Sequence, residues 1–217
     1  MTSKLIPGLL ACACVLFSAG CSTWLKAPEQ KQSITVGSTS REQVLKHYGK
    51  PRVEKKHPSG RSILLYGQCH EILTVSARVA DRGTLEIRQL ELLLDPRGMV
   101  EDFSYSKSRL WMHRETWRFE IGERVTPEQA AKIETGKTTT SELESLLGKP
   151  TVVGLDFDSA KVLRWWCGRQ SGANSINFQE FSVKVNSSGV AAEILVTNVL
   201  NVVPWDIKEQ LADSFFR

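Results

Sequence analysis

One passage of the chain occurs twice. Residues 28–51 read PEQKQSITVGSTSREQVLKHYGKP, and residues 127–150 read PEQAAKIETGKTTTSELESLLGKP. At this offset of 99 the Pro-Glu-Gln triplet, Ile34/Ile133, Gly37/Gly136, Thr39/Thr138 and the closing Gly-Lys-Pro are identical, far more than chance matching gives. Such a repeat confines the chain to folds in which one supersecondary unit occurs twice.

Each shared residue has a local task. Pro28 and Pro127 suit the first turn of a short helix, where a missing N–H costs nothing. Thr126 precedes Pro127 with Gln129 three positions on, the pattern of a capping box. Gly37 and Gly136 end that helix. Thr39 and Thr138 are expected to cap the next one, with Glu42 and Ser141 as reciprocating partners. Val44, Leu45 and Tyr48 make a buried stripe in the first copy, and Leu143, Leu146 and Leu147 in the second. Gly49 and Gly148 stop the helix, and Pro51 and Pro150 prevent its resumption.

Strands follow in both copies. SILLYG from Ser62 and KVLRWWCG from Lys161 read as half-buried strands, and later strands break at the turns DPRG and NSSG. The expected fold class is therefore α+β: two tandem units, each a short helix pair packed on an antiparallel three- to four-stranded sheet. The units span residues 28–110 and 126–201, joined by a linker at 111–125. Trp111 and Trp117 in that stretch either seal one unit against the other or contact a partner. Residues 202–217, with Pro204 near their start and apolar Ile207, Leu211, Phe215 and Phe216, read as a C-terminal helix.

The beginning of the chain is of another kind. Residues 1–20 carry one charge, Lys4, ahead of the apolar run LIPGLLACACVLFSAG. That run is shorter than the ~20 apolar residues of a membrane span and has the form of a secretory signal. Cys21 follows Ser18, Ala19 and Gly20, as the acylated cysteine of a bacterial lipobox does, so Cys21 is the expected lipidation site. Residues 21–27 are then a tether. Ser22 directly after the cysteine points to an outer-membrane address facing the periplasm. Cys69 and Cys167 are the remaining mature cysteines, candidates for a disulfide in an oxidising compartment or for two small buried hydrophobes.

The segments IETGKTTTSELESLLGKP, RWW at 164–166 and FSVKVNSSGVAAEI resemble the small outer-membrane lipoproteins of the BamE (SmpA/OmlA) family. Their mark is Gly-x-Thr before a short helix, Gly-x-Pro after it, and a late turn in which Gly precedes an apolar residue. Residues 125–197 carry the match, and GSTSREQVLKHYGKP with DPRGMV carries a looser one. The tandem unit is also similar to that of β-lactamase inhibitor proteins. The resemblance implies a non-enzymatic lipoprotein of the outer membrane that acts as an adaptor among envelope proteins, including β-barrel assembly components. It implies a partner surface at Trp165 and Trp166.

The residues themselves advertise no chemistry. His47, His57, His70 and His113 lack metal-ligand spacing, and there is no phosphate loop, nucleophile elbow or Cys-x-x-Cys. No catalytic residue, metal or cofactor is expected. The formal net charge of +4, without aromatic interleaving of the basic cluster at 50–57, gives no ground for a nucleic-acid partner. The alternative to an adaptor is an inhibitor-like module that blocks a periplasmic hydrolase.

Overall fold

The computed structural model describes residues 34–74, 80–115, 118–172 and 175–202. The leader expected at residues 1–20, Cys21, the tether expected at 21–27, the helix expected at Pro28, Trp117 and the C-terminal helix expected beyond Val202 lie outside these residues.

The elements in chain order are α1 (Arg41–Tyr48), β1 (Val53–Lys56), β2 (Ser62–Thr74), β3 (Ala80–Leu94), β4 (Val100–Glu115), β5 (Arg118–Ile121), α2 (Pro127–Ala130), α3 (Thr140–Leu147), β6 (Val152–Leu155), β7 (Lys161–Gly172), β8 (Ser175–Val185) and β9 (Ala191–Val202). All nine strands belong to one antiparallel sheet in the order β1-β2-β3-β4-β5-β7-β8-β9, with β6 paired to the start of β7.

This overturns the two separate three- to four-stranded units, and with them the tandem two-unit architecture that the resemblance to the BamE and β-lactamase inhibitor proteins implies. The physical reason lies in the stretch read as a linker. Its first residues continue β4, and β5 pairs with β4 on one side (Met112↔Ile121) and with β7 on the other (Ile121↔Gly168). A four-residue strand thereby joins the two halves into a single curled sheet.

The repeat persists as local structure. The Gly37 N–H donates to the Val100 carbonyl at 2.7 Å, and the Gly136 N–H to the Ala191 carbonyl at 2.7 Å. Arg41 N–H reaches the Gly98 carbonyl, and Thr140 N–H the Gly189 carbonyl, so α1 and α3 each hang on the turn that the sequence marks as DPRG or NSSG. The caps fall one residue later than expected. Ser40 and Thr139 cap α1 and α3, reciprocated by Gln43 and Glu142. Thr39 and Thr138 instead use their hydroxyls to accept the N–H groups of Thr35 and Glu134, closing the preceding turn. The cap expected at Thr126 with Gln129 forms as the sequence reads.

Strand alternation sends side chains to two faces. On one, Leu64 and Tyr66 meet Val44 and Tyr48 of α1, and Leu163 and Trp165 meet Leu143 of α3. On the other, Leu65, Leu85 and Ile87 of the first half pack with Val152, Trp166 and Phe178 of the second, around Met112 and Ile121. That third cluster crosses the junction, so the halves share a core.

Candidate functional site

The aromatic pair Trp165 and Trp166 is inside the protein. Trp165 is 5 % and Trp166 2 % exposed, on opposite faces of β7. The Trp165 indole N–H donates to the Gly148 carbonyl at 3.0 Å, and in the first half Tyr66 Oη donates to the Gly49 carbonyl at 3.0 Å. These positions are 99 residues apart, so the first copy's tyrosine and the second's tryptophan do one job: each holds the end of its helix to the sheet. Trp166 donates to Glu180 at 2.8 Å. Neither ring is presented to a partner.

Cys69 and Cys167 are free thiols. Cys69 packs against the shared cluster that contains Trp166, whereas Cys167, the next residue along β7 from Trp166, points to the other face. The sheet lies between them, which is why no disulfide joins the halves. Burial pushes the Cys69 thiol up to about 12 and raises that of Cys167 as well.

Sequence reasoning passed over the polar network at the junction. Glu91, 1 % exposed, accepts from Arg164 Nη1 at 2.6 Å, from the Leu155 N–H at 2.6 Å and from Gln89 Nε2 at 2.8 Å. Arg164 also lies 3.7 Å from Glu180, which accepts from Trp166 and, at 3.0 Å, from Ser182. Ser104 donates to the Val153 carbonyl at 2.6 Å, and Ser106 accepts the Val153 N–H at 2.8 Å. The edge of β6 that faces the first half is therefore held by side chains of β3 and β4 where a neighbouring strand would otherwise pair with it. A Cβ at Gly154 would meet the Arg164 guanidinium that Glu91 holds. The signal was in the sequence: Glu91 interrupts the apolar run at 90–94 and Arg164 the apolar run at 162–166.

Outside the core, the helix-bearing face of β4 carries Lys107, Arg109 and Trp111 at alternate positions beyond α1. Trp111 is 40 % exposed. Beneath them Glu86 is buried and binds Arg88 at 2.6 Å and Arg109 at 3.2 Å, with Lys107 at 3.7 Å. The Arg88 hydrogen bond, opposed by burial and aided by Arg109 and Lys107, holds the Glu86 carboxyl below the usual range. Three cations surround one anion, so the strip round Trp111 is positive.

Among the described residues no three His, Cys, Asp or Glu side chains gather as a metal site, and no helix is long and apolar enough to cross a membrane. Comparison with known protein families, characterised proteins and solved structures finds no match to this chain.

Proposed function

We propose that the chain is a non-enzymatic adaptor, held at the outer membrane by acylation of Cys21 and facing the periplasm, that binds another envelope protein through the strip of β4 bearing Lys107, Arg109 and Trp111. The observation that carries this reading is the exposure of Trp111 on β4, beside the cations Lys107 and Arg109. Tryptophan and arginine are the residues that concentrate binding energy at protein interfaces, and the excess of positive charge matches an acidic partner surface. The sequence of residues 1–22 supports the anchor.

The test is affinity capture from detergent-solubilised membranes. The wild-type chain is expected to retain an envelope protein, and Trp111→Ala to weaken that retention by at least ~30-fold, the effect of a hot-spot residue worth about 2 kcal/mol. Acyl labelling should be lost in Cys21→Ser. Capture of one soluble hydrolase would favour the inhibitor reading, and equal capture by Trp111→Ala would remove β4 as the binding surface.

A further inference from the structure

The two outer strands of the sheet are protected unequally. β1 exposes Glu54, Lys55 and Lys56, charges that discourage another strand from pairing with it. β9 carries a single charge, Glu193, and exposes two large apolar side chains, Leu195 at 51 % and Val196 at 53 %.

The direction of the β9 backbone follows from hydrogen bonds further in. The Trp166 N–H donates to Thr151 Oγ1, away from β8. Hydrogen-bonded and non-bonded pairs alternate along antiparallel strands. Trp166 faces Glu180, and Glu180 faces Thr197. Glu180 therefore turns its backbone groups to β9, and Thr197 turns its own back to β8. Ile194, Val196 and Asn198 direct their N–H and C=O groups off the sheet. Ala191 at the start of β9 is engaged by Gly136 and Thr138; beyond it, among the described residues, no strand lies outside β9.

The first half shows how such an edge is covered. The corresponding strand, β4, has β5 paired to its far end, and Ser104 and Ser106 nearer its start reach the backbone of β6. An extended backbone is thus the chemistry that the β9 edge matches.

We propose that the β9 edge is a dimerisation surface on which a second copy of this chain pairs its own β9, antiparallel and about a two-fold axis at Val196. Two-fold pairing of one patch with itself is the commonest closed assembly. In this register Val196 meets its counterpart, Ile194 faces Asn198, Leu195 faces Thr197 and Glu193 faces Val199. No like charges oppose one another, as they would if two β1 edges met. The pairing satisfies the outward N–H and C=O groups, covers Leu195 and Val196 at the seam and extends one sheet through two molecules. This inference goes beyond the adaptor reading and does not depend on it.

Sedimentation of the full chain in detergent, with Val196→Lys beside it, tests the proposal. The wild type is expected at twice the monomer mass, and Val196→Lys at the monomer mass with an unchanged circular dichroism spectrum. Val196→Cys should give a disulfide-linked dimer on mild oxidation. Three results would each overturn the proposal: a monomeric wild type, a dimer unaffected by Val196→Lys and uncrosslinked at residue 196, or a full chain that dimerises only after residues 203–217 are removed. The last would show that the tail already covers the edge.

Discussion

Glu91 and Arg164 illustrate what one charged pair does inside a sheet. Removing a partner from a buried ion pair costs more than the pair itself contributes, because the remaining charge stays desolvated. Glu91→Gln is expected to lower stability by about 3–5 kcal/mol, measured by urea denaturation. Glu91→Leu combined with Arg164→Leu should recover most of that loss, short of the roughly 1–3 kcal/mol for the Leu155 N–H left without its acceptor. A double variant as unstable as Glu91→Gln would contradict this account. Burial of Arg164 works against its charge, but Glu91 and Glu180 more than compensate, and its pKa is raised.

Among the elements, β5 matters out of proportion to its length. It ends at Ile121, and Gly122 then turns with φ 63°, its N–H donating to the Trp111 carbonyl at 3.0 Å. A Cβ at this position would strike the Trp166 carbonyl oxygen. Gly122→Ala combines left-handed backbone with a clash against β7, and a loss of roughly 1–3 kcal/mol or more is expected in chemical denaturation. A neutral effect would mean that β5 and β7 separate freely. What was legible in the sequence follows the same division between near and far. The turns at Asp95 and Asn186, the cap at Thr126 and the start of β2 and β7 are set within a few residues and could be read directly. The caps at Ser40 and Thr139 slipped by one because two adjacent hydroxyl residues compete for the role. β5 was missed because RFEI has no turn signal of its own and pairs with Gly168 and Arg169, far along the chain. Of the site, Trp111, read as either a seal between the halves or a partner contact, is exposed. The burial of Trp165 and Trp166 depends on which faces the helices and β6 cover, which strand composition leaves open.

At the scale of the molecule, a core drawn from both halves makes unfolding a single event. One cooperative transition is expected, with tryptophan fluorescence and far-ultraviolet circular dichroism coincident. It should be acid-sensitive. Glu86 is held low by Arg88, and Asp156, although burial opposes it, is held low by its bond to Lys184. Carboxyls lowered in the folded state add stability that is full above their ordinary range and lost as pH falls through their folded values. The loss should therefore begin near about pH 4. Two separated transitions would contradict the shared core. The Glu91–Arg164 pair also fixes the order of the copies. Counting by the repeat, Ser182 stands in the second copy where Glu91 stands in the first, and Leu65 stands in the first where Arg164 stands in the second. A gene carrying the second copy twice would leave the buried arginine with Glu180 alone, its 2.6 Å partner gone, and one carrying the first copy twice would bury the acid without its arginine. Divergence after duplication has made the copies complementary, so neither can now replace the other.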